Sequence, residues 1–188
     1  MEDGEIRGDA SDGTLSYMPA DGLKATRVDD GTEIDLSGMS FNSSALCDDI
    51  FVLCASMSLS KEVAERFGAF CVEIPDATLL IDRFRARAHA TSQLDYAQTI
   101  GGPIDYREVR EAPGIAWALP DKLALIKPPS FAWQNEYRLA VGRRGAFDVH
   151  SVVCTISRDP AAQMWLGSSA TIRLRLGTLL GSAKLHRL

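Results

Sequence analysis

The sequence predicts an α+β protein of mixed or antiparallel β-sheets packed with a few short helices. Three observations carry that expectation. Short apolar runs with strand character recur along the chain, helical periodicity is confined to two neighbouring segments, and Asp-Gly pairs stand at 12–13, 21–22 and 30–31. At 188 residues the chain fits a single domain, 1–188, with an N-terminal β-meander over 12–40 and a core over 48–177.

The elements follow in order. Asp-Gly supplies the positive-φ residue that a tight hairpin needs, so "TLSYMPA", "LKATRVD" and "TEIDLSG" between the pairs are expected to zigzag. A nine-residue calcium repeat would need a much richer glycine and aspartate pattern. "DDIFVLCAS" (48–56) is a continuous apolar run, expected as a buried strand. "SLSKEVAERFG" predicts a short helix over 59–67, capped by Ser58 or Ser60, with Leu59, Val63 and Phe67 on one face and Gly68 as the stop. "AFCVEI" (69–74) is expected as a second buried strand. A longer helix over about 77–90 follows Pro75-Asp76, turning Leu80, Ile81, Phe84 and Ala88 inward. Residues 91–102 read as a loop. Strands are expected at 103–109, 123–127, 137–141, 149–157 and 170–177.

Composition narrows the function classes. No apolar run approaches the roughly 18 residues that span a bilayer, and the acidic start Met-Glu-Asp-Gly-Glu lacks the basic-then-apolar order of a signal peptide. The expected location is the cytoplasm. Cys47, Cys54, Cys71 and Cys154 form no CxxC pair, and three lie in apolar strands, so buried reduced thiols are expected. His89, His150 and His186 match no ligand spacing, so no metal is expected. Residues 1–50 hold twelve acids against three bases (−9), leaving +4 for the remainder of a chain with net charge −5. From Ala170 onward there are four basic residues and no acid. A basic strip of that kind suits an anionic partner. The pI near 5.2 instead favours a solvated basic edge over a nucleic-acid surface, a partner class that the sequence leaves open, and no membrane partner is expected.

The polar stretch to explain is "SFAWQNEYRLAV" (130–141), where Gln134 and Glu136 stand at the mouth of a strand. Cleavage at a ribose anomeric carbon passes through an oxocarbenium-like cation. It needs a fixed carboxylate for that charge, an arginine to grip pyrophosphate, and small hydroxyl residues that hold the carboxylate in place. In chain order the sequence offers Arg7-Gly8, Ser56-Met57-Ser58 and Gln134-Asn135-Glu136.

With those elements the chain resembles the ADP-ribosyltransferase-like superfamily. The string Ser130 to Glu136 is similar to the aromatic-x-x-Gln-x-Glu turn of the Rho-modifying clostridial exoenzymes. The resemblance implies an ADP-ribosyltransferase-like fold with NAD as substrate, and transfer of ADP-ribose to a macromolecular acceptor or hydrolysis of NAD. It implies Glu136 as the catalytic glutamate, Gln134 as the residue positioning the acceptor, and Ser56 beside the carboxylate. Arg7, Ser58, Phe131 and Trp133 make up the implied NAD-binding set, with Phe131 or Trp133 in the recognition turn. Residues 48–74 and 120–141 also resemble a set of uncharacterised bacterial and phage proteins with a "K…F..Q.EYR" ending, which carries no activity with it.

Other readings of the same residues stand beside this one. Glu136 can be a surface acid paired with Arg138 or Lys127. Ser56 and Ser58 can be a strand end and a helix cap, Arg7 a solvated terminal residue, and Phe131 and Trp133 core or lip residues. A cysteine hydrolase would need Cys71 or Cys54 beside His89 or His150, and nothing in the sequence brings them together. The alternative of a different class is a non-catalytic binding module of a bacterial or phage defence or toxin protein. Met57, where the superfamily carries threonine, suits that alternative.

Overall fold

A computed structural model describes residues 12–158, 172–177 and 183–187. The chain opens with β1 (Thr14–Tyr17), β2 (Leu23–Thr26), β3 (Glu33–Leu36) and β4 (Ser40–Ala45). The Asp-Gly pairs act as expected: Gly13, Gly22 and Gly31 all have positive φ. The pairing departs from a simple meander, because only β2 and β3 form a hairpin with each other. β1 skips over it to pair with β4, and β4 also pairs with β11 (Val152–Ser157), giving the antiparallel order β1-β4-β11.

The second sheet holds the polar constellation. β5 (Ile50–Ser56) and β7 (Asp95–Pro103) flank β10 (Glu136–Gly142), both antiparallel to it. Between β5 and β7 run α1 (Lys61–Phe67), β6 (Phe70–Glu73) and α2 (Ala77–His89). Asp76 caps α2 by accepting from the Leu79 N–H. β10 is the central strand, and its odd and even residues serve different layers. Leu139 and Val141 face α2 and form a cluster with Phe84 and Ala88, flanked by Leu80 and Ile81. Glu136 and Arg138 point the opposite way. There lie β8 (Asp105–Tyr106), α3 (Pro120–Leu123) and β9 (Ile126–Lys127), with β8 and β9 paired in parallel. A second cluster of Leu15, Ala45, Leu123 and Ile126 ties this layer to the first sheet.

The α+β class with antiparallel sheets and few helices is as expected, and several details are corrected. Residues 95–103 form a strand where a loop was expected. Its "DYAQTIGGP" lacks an apolar run, yet it pairs along β10, where Gly101 leaves room for Leu139. The expected strand over 103–109 is only Asp105–Tyr106, and Leu123 ends a helical turn rather than starting a strand. Residues 149–151 form a 3-10 turn ahead of β11. Within the expected strand over 170–177, residues 172–177 alternate in exposure but join no ladder among the described residues.

Burial is corrected too. β5 sits at the margin of its sheet, so Val52 and Leu53 are exposed rather than core. In β6 the pattern is inverted: Phe70 and Val72 are 65% and 61% exposed, while Cys71 and Glu73 turn inward. The cause is its partner. Among the described residues β6 pairs only with β12 (Lys184–Arg187), in a two-stranded ribbon whose inner face carries the polar contact between His186 Nε2 and Glu73 Oε2 at 2.7 Å. α1 buries no residue, and Phe67 stacks on Trp133 instead of entering the core. Cys54 and Cys154 belong to exposed positions and Cys71 to a half-buried one, because their strands lie at sheet margins. All three are free thiols as expected. Among the described residues no helix is long and apolar enough to cross a membrane.

Candidate functional site

The site begins with a turn that ends in a left-handed residue. After Pro128 a 3-10 turn covers Pro129–Gln134, and Asn135 (φ 42°, ψ 55°) reverses the chain into β10. Asparagine tolerates this conformation better than other side-chain-bearing residues. Two contacts dock the turn on the end of β5, and a third hydrogen bond lies at the end of β5 itself. Met57 N–H donates to the Asn135 carbonyl at 2.8 Å, and Ser56 Oγ lies 2.9 Å from the Gln134 carbonyl and 3.0 Å from that of Ser58.

Ladder register then fixes the next step. Glu136 stands directly opposite Ser56, and Arg138 opposite Cys54, so all four side chains share one face. Glu136, only 4% exposed, uses both carboxylate oxygens. Arg138 Nε donates to Oε1 at 2.6 Å, and Lys127 Nζ to Oε2 at 2.9 Å. Arg138 continues to Asp12 at 2.6 Å and to the Ala124 carbonyl at 2.9 Å. Lys127 also lies 3.6 Å from Asp12 and donates to Gln134 Oε1 at 3.0 Å. The Tyr106 hydroxyl accepts from the Glu136 backbone N–H at 2.9 Å. Two cations and two carboxylates thus form a quartet between the layers among the described residues.

Its electrostatics follow from that pairing. Burial alone pushes the Glu136 carboxyl up, but the hydrogen bond and charge of Arg138, with Cys54 and Lys127, outweigh it and hold the group below the ordinary carboxylate range. Burial lowers Lys127, and Asp12 and Glu136 more than reverse this, raising it. Arg138 is raised by the same two acids against its own burial. The Cys54 thiol is pushed up to about 12, first by burial and then by the neighbouring carboxylate, although its strand edge is exposed.

The predicted residues therefore separate into two groups. Ser56, Gln134 and Glu136 come together at one end of β10, with Ser58 alongside. Gln134 turns its side chain oxygen onto Lys127, whose ammonium also lies 5.1 Å from the centre of the Phe131 ring. Trp133 lies apart, under the Arg66 guanidinium at 4.1 Å. Arg7 lies outside the described residues. A pairing of Glu136 with Arg138 or Lys127 at the surface is half right: it pairs with both, and the pairs are buried. Sequence reasoning missed Asp12 and Tyr106 as members. Lys127 and Arg138 did leave a signal, each being a lone cation in an apolar strand, with Arg138 two residues from Glu136 and so on the same face.

Among the described residues no group of histidine, cysteine, aspartate or glutamate is placed to hold a metal. No protein-family model, curated protein or solved structure matches the chain.

Proposed function

We propose that the chain is a non-catalytic interaction module in which Glu136 holds the fold together. One observation carries this reading: both oxygens of a buried Glu136 are committed to Lys127 and Arg138. A carboxylate that stabilises an oxocarbenium ion must present uncompensated charge to the substrate, and freeing this one would break two buried ion pairs. The outward apolar residues Phe70, Val72 and Leu185 on the β6–β12 ribbon also suit a module that docks a partner.

A second reading, an ADP-ribosyltransferase or NAD hydrolase, draws support from one specific relationship. Ser56 lies directly across from Glu136, with Gln134 beside both, as the superfamily pattern requires. Nicotinamide release from NAD, with and without cell lysate as acceptor source, separates the two, together with calorimetry of NAD binding. The module reading expects neither release nor binding. Release that Glu136→Gln abolishes at a temperature where the variant stays folded would overturn it.

A further inference from the structure

A cavity of about 280 Å³ opens beside β5 on the side of the sheet away from the ion quartet. Phe51 and Leu53, two apart on β5, share a face, and Val141 stands opposite Phe51 on β10, so these three make the floor. Phe84 of α2 forms one wall and Leu174 another. The lining is apolar with one exception, Arg173, which is itself exposed. Residues 172–177 alternate in exposure, so Leu174 and Leu176 pack inward while Arg173 and Arg175 face solvent. Arg173 makes no ion pair with any described residue.

We propose that this cavity binds a small amphipathic carboxylate, with its hydrocarbon against Phe51, Leu53 and Phe84 and its carboxylate on Arg173. The volume lies near the lower end of the roughly 300–1,000 Å³ typical of small-molecule sites, which selects a short chain or a single ring. Apolar lining supplies attraction without direction, and one exposed guanidinium supplies an anchor whose planar fork matches a carboxylate. A neutral ligand of equal length leaves the anchor unused. A cationic one meets repulsion.

The test uses octanoate and octanol as matched probes, followed by calorimetry and by ligand-observed NMR. Saturable octanoate binding is expected, with octanol weaker by about fivefold, the scale of one partly exposed ion pair. Arg173→Gln is expected to bring octanoate down to the octanol level and to leave octanol unchanged. Leu53→Trp, at an exposed margin that tolerates a larger side chain, is expected to abolish binding of both. Equal affinity for the two probes, an Arg173→Gln variant with undiminished octanoate binding, or no saturable binding at all would each overturn the proposal.

Discussion

Glu136 and Ser56 stand directly opposite each other where β10 and β5 meet, yet their side chains do different work. Ser56 turns to the backbone of the Gln134 turn, while Glu136 turns down to Lys127 and Arg138. The hydroxyl fastens the turn to β5, and the carboxylate fastens the sheet to the layer beneath.

Removing one charge from the quartet is therefore expected to cost stability. Glu136→Gln leaves Lys127 and Arg138 buried against a neutral amide, which should lower the unfolding free energy by about 3 kcal/mol. Lys127→Met should cost a similar amount. The double variant should cost less than the two together by about 1 kcal/mol, because the partner left unpaired in each single variant is gone. Denaturant unfolding of the three variants checks this, and strict additivity would show that the residues do not act as a unit.

Stability should depend on pH in two windows. Glu136 is depressed below its ordinary 4.5, so its contribution is fully present above that value and fades as pH falls through the folded one. Lys127 is raised above its ordinary 10.5, so its contribution is fully present below that value and fades as pH rises through the folded one. The quartet should thus give a plateau between these limits. Melting temperatures measured across pH should show Glu136→Gln losing much of the acid-side slope.

Thiol labelling should discriminate between the strands. With its thiol pushed up to about 12 beside a carboxylate, Cys54 has almost no thiolate at pH 8. Cys154 in β11 and Cys54 in β5 both lie at exposed positions, so access alone does not separate the two. Cys54 should react at least roughly 100-fold more slowly than a free thiol, and Cys154 considerably faster than Cys54. Mass spectrometry of native protein under timed alkylation gives both rates.

The left-handed turn residue offers a local probe. Asn135→Gly should be close to neutral, whereas Asn135→Val should destabilise by about 1–2 kcal/mol, since a β-branched side chain clashes at φ 42°. Thermal unfolding distinguishes the outcomes, and equal effects of the two would mean that the turn relaxes freely.

The parts of the fold that could be read in the sequence are those where one local signal suffices. α2 was legible because Leu80, Ile81, Phe84 and Ala88 repeat at helical spacing and Asp76 stands at its start. β10 was legible from its unbroken "YRLAV". By contrast, β4 reads "SFNSSA" and carries no apolar pattern, yet Ser40, Asn42, Ser43 and Ser44 are buried. Its polar groups are satisfied by distant partners: Asn42 by Ser16 and Ser157, and Ser43 by the Trp117 carbonyl. β5 and β6 show the reverse failure. Their apolar runs predict burial, but burial depends on what lies across the sheet, which a single segment does not encode. Of the candidate site, Ser56, Gln134 and Glu136 were found together, whereas Asp12 looked like an ordinary hairpin residue because its partner Arg138 is 126 positions away.

The wiring of the two main sheets has a consequence for how the chain is made. β4 meets β11 across 111 residues, and β5 meets the β10 turn across 78. Contacts of that separation slow folding, and neither of these two pairings can form until most of the polypeptide has left the ribosome. The two strands do not wait equally well. Serine-rich β4 is content in water, whereas "IFVLCAS" of β5 is a β-prone, uncharged segment of the kind that nucleates aggregates while unpaired. Asp48 and Asp49 immediately before it place two negative charges at its head, the position that charged gatekeeper residues take beside an aggregation-prone strand.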